Sequence, residues 1–381
     1  MTIKIVSVSA AIKTTDGEQI VTTRPLTALF SLVIIFGTWA TEVPGQVPDE
    51  LEDLMTAELT SYYENGQKSG CDCGGVKGKG AYASGCRCHD GWCGPWRLTV
   101  DILRLGRNSP NDLTLVSQVG GAAAGATLLS ASNLDLGYET GVRIDLYHRK
   151  NDCVSWQIGY SGDNWNDQRT VLGGAQTLLS VDNSDDYEVA NQVETNYFSD
   201  YDSLEINRIR CLHNTNFTWL VGVRHVGIDE TFNLASTTGA QTSDYNIATE
   251  NSIWSAQFGL GWIRMLHQRY CIGLNGKIGI GSNSADQTVL LRDDDNVDVA
   301  RDFTNGASHT TFNGEFNAAL GVRLPHHPCW YLRGGYQLLW FNNVAIAPEQ
   351  FQNDLAVANA GLNIGGNIFL SGFFLGLDGT W

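Results

Sequence analysis

From Trp96 to the last residue, apolar and polar side chains alternate with a period of two, the repeat of a strand rather than of a helix. The clearest run covers 134–148. Leu134, Leu136, Tyr138, Thr140, Val142, Ile144 and Leu146 share one face, and Asp135, Gly137, Glu139, Gly141, Arg143, Asp145 and Tyr147 share the other. Strands of soluble sheets usually run about 5–6 residues, whereas a strand crossing a bilayer at a tilt needs about 9–11. The pattern predicts ten strands: 96–106, 134–148, 154–161, 201–211, 217–229, 251–262, 270–280, 310–323, 330–341 and 368–381. Residues 113–119 and 122–130 offer a further hairpin, so the expected range is 8–12.

The connections alternate in length. Short links at 149–152, 212–216, 265–268 and 325–328 are interleaved with long ones at 107–133, 162–200, 230–250, 282–309 and 342–367. An even number of antiparallel strands with this layout predicts an all-β fold, a closed antiparallel transmembrane β-barrel with short periplasmic turns and long extracellular loops. Closure follows because no strand edge can remain unpaired in hydrocarbon. Trp96, Trp219, Trp262, Tyr270, Trp330 and Trp381 fall near the short-turn end on the apolar parity, as expected of aromatics at a membrane interface. The chain ends on an aromatic, Trp381, a terminus of the kind read by barrel-insertion machinery, although Gly379 stands where an apolar residue is usual.

Upstream of the alternation the pattern differs. Residues 26–40, LTALFSLVIIFGTWA, form a short apolar stretch after Arg24, with small residues Thr38 and Ala40 at the cleavage positions of a secretory signal peptide. A buried core helix is the competing reading. Residues 41–95 read as a Cys/Gly-rich periplasmic segment that opens with a short amphipathic helix over 47–64. The expected domains are therefore 1–40, 41–95 and the barrel over 96–381, and the expected location is the outer membrane.

Composition narrows the partners. With 24 Lys+Arg against 41 Asp+Glu the formal charge is −17, which argues against a nucleic-acid or anionic-lipid partner, since either needs a basic face. The expected partners are outer-membrane lipid and the insertion machinery, with small solutes and self-association as further possibilities.

The polar parity carries Arg97, Asp101, Glu139, Arg143, Asp145, Glu205, Arg224, Lys277, Glu315, Arg323, Arg333 and Asp378 as expected lumen-lining residues. In a wide barrel they would line a water channel and tune ion selectivity; in a narrow one they would pair across the lumen and fill it. Ten strands lie near the closed limit, since eight leave room for side chains alone.

Nine cysteines suit an oxidising compartment. Cys71, Cys73, Cys86, Cys88 and Cys93, with His89, read either as disulfides or as a zinc site. Cys153, Cys211, Cys271 and Cys329 each fall at a short-turn strand end on the inward parity. They are disulfide candidates, either as a Cys153–Cys211 staple or as tethers for the upstream segment. Residues 283–308 hold six Asp and two Arg; Asp293, Asp295 and Asp298 are calcium candidates, without the glycine and terminal Glu of an EF-hand loop. No other cofactor is expected. Nor is enzymatic activity: His225 and His309 are the histidines near the outer rim able to serve a Ser–His or Asp–His pair, and neither GxSxG nor HExxH is present.

The segment Arg333-Gly334-Gly335-Tyr336-Gln337-Leu338-Leu339-Trp340, followed by Val344-Ala345-Ile346-Ala347-Pro348-Glu349-Gln350, resembles the outer-membrane β-barrel porin family of planctomycete-type bacteria. So do Glu205-Ile206-Asn207, Gly222-Val223-Arg224, Gln257-x-Gly259 and Cys93-Gly94-Pro95-Trp96. The resemblance covers about 96–381 and implies an outer-membrane barrel that conducts small solutes. It brings no substrate or catalytic residue. A pore for passive diffusion is the first expectation, and a non-conducting surface barrel with a salt-bridge-filled lumen is the alternative.

Overall fold

The computed structural model describes residues 94–381 apart from 120–124, 152, 174–176, 183–184, 213–214, 268, 294–297 and 355–360. The expected leader and the helix over 47–64 lie outside the described residues. The strands are β1 (Trp96–Arg107), β2 (Thr114–Val119), β3 (Thr127–Ser130), β4 (Tyr138–Asn151), β5 (Val154–Leu172), β6 (Thr177–Leu179), β7 (Gln192–Cys211), β8 (Phe217–Thr238), β9 (Gln241–His267), β10 (Tyr270–Asp293), β11 (Asp298–Leu324), β12 (His327–Val344) and β13 (Gly366–Thr380). Ten of them, β1, β4, β5 and β7 through β13, close an antiparallel barrel. The seam runs from Arg97 opposite Thr380 to Arg107 opposite Leu370, so no barrel edge is left open. β2, β3 and β6 form a separate three-stranded sheet. The possible extra hairpin therefore exists, but it does not belong to the barrel.

Side-chain parity is constant along each strand while polarity is not. On β9 the outward residues Trp254, Ala256, Phe258, Leu260 and Trp262 are apolar, and the inward Ser255, Gln257, Gly259 and Gly261 are polar or small. Farther from the short turns the outward residues become Asp244, Asn246 and Glu250, and the inward ones become Tyr245, Ile247 and Ile253. β8 changes in the same way. Outward Val221 and Val223 give way to Asp229 and Asn233, as inward Arg224 gives way to Val226, Ile228, Phe232 and Leu234. On neighbouring strands Ile278 is 69% exposed and Phe373 64% exposed within the same apolar belt. A belt about nine residues tall suits a hydrocarbon layer. Beyond it water surrounds the barrel, so the outer face turns polar and the lumen becomes a conventional apolar core. Each fully buried Leu or Phe there contributes about 1.5–3 kcal/mol.

Three expectations are corrected. First, two of the expected long loops are strand. β8 and β9 continue to Thr238 opposite Gln241, and β10 and β11 continue to Asp293 opposite Asp298. At about 3.3 Å per residue the 27 residues of β9 trace roughly 90 Å, far more than a bilayer requires. The polarity inversion hides these extensions from a pattern that expects apolar residues outward along the whole strand. Second, Leu134 and Leu136 are buried in the core ahead of β4 rather than outward on it; Gly137, at φ +60°, breaks the chain before the strand begins. Third, the remaining long connections are folded. Residues 107–137 and 173–191 carry the small sheet, whose Leu115, Val116, Leu129 and Leu178 join the barrel core.

Candidate functional site in the barrel lumen

The lumen at belt height is crossed by one polar network to which nine of the barrel strands contribute polar side chains and β13 contributes the ring of Phe374. Arg143 (β4) donates from Nε to Asp101 Oδ2 (β1) at 2.9 Å and from Nη1 to Asn317 Oδ1 (β11) and Gln337 Oε1 (β12) at 2.9 and 3.0 Å. Arg224 (β8) donates to Glu315 Oε2 (β11) at 2.9 Å, Ser203 Oγ at 2.8 Å and Tyr201 Oη at 2.8 Å. Lys277 Nζ (β10) donates to both carboxylate oxygens of Glu205 (β7), at 2.7 and 2.9 Å, and lies 3.1 Å from Glu315 Oε1. Gln257 (β9) and Gln157 (β5) donate to Glu205, and Gln157 also donates to Asp145. Phe374 (β13) lies between the guanidinium groups of Arg143 and Arg333, 4.6 and 5.0 Å from the ring centre.

Five cations, Arg97, Arg143, Arg224, Lys277 and Arg333, face five carboxylates, Asp101, Asp145, Glu205, Glu315 and Asp378. Burial of charge is tolerated when it is paired and hydrogen-bonded; every charge of this layer has an opposite charge beside it, although Arg333 Nε and Asp101 Oδ1, 3.2 Å apart, form an ion pair without a hydrogen bond. Inward glycines make the room. A Cβ on Gly159 would lie 2.5 Å from Asp145 Oδ1, and one on Gly376 would collide with Asp101 and the Val100 carbonyl.

On the short-turn side of this layer is a cavity of about 240 Å³, lined by Arg97, Tyr147, Cys271, Asn275, Tyr331 and Arg333 among others. Arg97 pairs with Asp378 at its margin. On the far side the lumen is filled. The chain leaving β12 turns inward at Asn343, φ +54°, and buries Val344, Ala345, Ile346 and Ala347 inside the barrel. Asn251 Nδ2 donates to the Ala345 carbonyl at 2.8 Å, and its Oδ1 accepts from the Ala345 N–H at 2.7 Å. Asn283 Nδ2 donates to the Asn343 carbonyl at 3.1 Å. Glu230, fully buried in an ion pair with Arg107, accepts from the Ala347 N–H at 2.8 Å and from Tyr197 Oη at 3.0 Å. Burial opposes the Arg107 charge, but Glu230 and Tyr197 beside it together outweigh that and hold the guanidinium above its usual range. Phe351 completes the plug, its ring centre 5.2 Å from Tyr245 and 6.2 Å from Phe232.

Of the twelve expected lumen residues, Arg97, Asp101, Arg143, Asp145, Glu205, Arg224, Lys277, Glu315, Arg333 and Asp378 meet inside the barrel. Arg323 sits at the short-turn mouth, donating to Tyr331 Oη at 2.9 Å. Glu139 does not line the lumen. It lies at the rim, 4.0 Å from Arg104, with half its side chain exposed, because β4 begins at Tyr138 and its first residues stand clear of the packed interior. Arg107, Glu230, Asn251, Asn283 and the plug were not found from sequence. Their signal is present in the sequence, since each polar side chain keeps inward parity within an apolar stretch.

Trp96, Tyr270, Trp330 and Trp381 are exposed, and Trp219 and Trp262 half-buried, all on the outward face near the short turns. Cys71, Cys73, Cys86, Cys88 and Cys93 lie outside the described residues. Cys153, Cys211 and Cys271 carry thiols, so the Cys153–Cys211 staple is absent; a backbone bond from Cys211 N–H to the Cys153 carbonyl, 2.9 Å, joins those strand ends. Cys329 is disulfide-bonded. Asp293 and Asp298 face each other at the last rung of β10 and β11, and Asp295 lies outside the described residues. His225 points outward, its ring on Trp254 and its Nε2 3.1 Å from Ser252 Oγ. His309 pairs with Asn283 across the ladder.

No protein-family model and no curated protein matches the chain. Among solved structures it is similar to the outer-membrane protease OmpT from Escherichia coli, with 10% identity, coverage of 75% of this chain and 96% of that one, and a TM-score of 0.39. It is also similar to a Pseudomonas aeruginosa FadL homologue, with 10% identity, 74% and 89% coverage and a TM-score of 0.22. A third is CarO2 from Acinetobacter baumannii, with 10% identity, 74% and 99% coverage and a TM-score of 0.21. At these scores the barrel assignment rests on the strand pairing itself.

Proposed function

We propose that the protein is an outer-membrane β-barrel whose lumen is closed, serving as a membrane-anchored surface protein that projects an acidic, strand-built extension. The observation that carries this reading is the polar network built by nine of the ten barrel strands across the lumen, backed by the plug at Val344–Phe351. A leader over 1–40, a cysteine-rich periplasmic segment over 41–95 and insertion by the barrel-assembly machinery belong to the same proposal, as does the absence of catalysis. Passive diffusion of small solutes is the second reading, favoured by the cavity on the short-turn side. Planar-bilayer recording of the purified full chain separates the two: silence is expected of the closed barrel, and stepwise conductance would replace it with the pore.

A further inference from the structure

Arg208 and Arg210 of β7 lie on the outward parity, below Leu204 and Ile206, and both are exposed. Across the ladders Arg208 stands between Trp156 and Val221, and Arg210 stands between Val154 and Trp219. The row continues sideways from Trp156 to His148 and on to Trp96, whose ring centre lies 4.4 Å from that of His148 with the two planes tilted by 47°. Lys150 is exposed on the same face of β4. Three cations thus sit among three outward tryptophans at the short-turn end. No Asp or Glu takes an outward position on β4, β5, β7 or β8 from that end as far as Asp202. Among the described residues neither arginine forms an ion pair.

A guanidinium on a lipid-facing strand is stable when it reaches headgroup phosphate, and its planar fork matches two phosphate oxygens. Tryptophans settle at the same depth. Basic clusters at a membrane surface favour anionic lipid, and the third cation, Lys150, disfavours a headgroup that carries its own ammonium. At the opposite rim the outward groups are acidic (Asp200, Asp202, Asp229, Glu250), so the preference belongs to one leaflet. We propose that Arg208 and Arg210, framed by Trp156 and Trp219 and assisted by Lys150, bind the headgroup of an anionic phospholipid in the periplasmic leaflet. The proposal rests on the membrane-barrel reading and adds a lipid class to it.

The test is native mass spectrometry of the full-length detergent-solubilised protein with phosphatidylglycerol or phosphatidylcholine added at equal concentration. Roughly five- to tenfold preferential retention of phosphatidylglycerol is expected. R208Q/R210Q should abolish the preference and R208K/R210K, which keeps the charges and loses the forks, should weaken it to an intermediate value, each variant first being checked for the heat-modifiable migration of a folded barrel. Equal retention of the two lipids by the wild type, or an unchanged preference in a folded R208Q/R210Q, overturns the proposal. A wild type that dissolves without detergent and does not insert into vesicles refutes the membrane reading instead.

Discussion

Asp163 lies just past the membrane-crossing part of β5, level with the polar outward residues Asn164 and Asp202. One carboxylate oxygen accepts from the Asn164 N–H at 2.9 Å, and the other has no hydrogen-bond partner among the described residues. Burial, with Glu139 and Asp200 nearby, pushes its pKa up to about 7 against the pull of Asn164 and Arg104. The unfolded value is about 3.9. A raised carboxyl stabilises the fold through its protonated form, so that contribution is complete below about pH 4 and is lost as pH rises through about 7. Asp163→Asn should therefore leave the urea midpoint in micelles unchanged at pH 4 and raise it at pH 8. A variant whose midpoint follows the wild type at both pH values would contradict this.

At the scale of elements, the plug is held by strand side chains rather than by its own secondary structure. Glu230→Ala would remove the acceptor for Ala347 and Tyr197 and leave Arg107 buried without its carboxylate. Loss of one partner of a buried pair costs about 3–5 kcal/mol. The variant should unfold at lower denaturant, and hydrogen exchange at Ala347 should accelerate more than at Ile278 in the belt. Equal acceleration at both would mean that the pair supports the barrel generally and not the plug.

The strands within the belt could be read from the chain because hydrocarbon imposes a single rule, apolar outward, that leaves a period-two trace. The extensions of β8 through β11 obey the opposite rule, so residues such as Phe232 and Ile247 registered as loop. Pairing across the lumen, such as Arg224 with Glu315, was legible only as parity. Which cation meets which carboxylate depends on strand tilt and stagger, and no single strand records those.

For the whole molecule the inversion of polarity sets a boundary that substitution can locate. Phe258 and Asn246 are both outward on β9, one inside the belt and one beyond it. Phe258→Arg should cost about 2–4 kcal/mol of folding free energy in phosphatidylcholine vesicles, whereas Asn246→Arg should stay within about 0.5 kcal/mol. Equal costs would place both positions in the same medium.

The central charges also constrain how such a barrel can come into being. Arg224 on β8 is neutralised from β11, and Arg97 on β1 from β13, at opposite ends of the strand sequence, while Lys277 on β10 meets Glu205 of β7 as well as Glu315 of its hairpin partner β11. A hairpin entering the bilayer alone would carry ions whose counterparts had not arrived. Assembly therefore favours a sheet that gathers its strands in a wet compartment and expels water once, when the first and last strands meet.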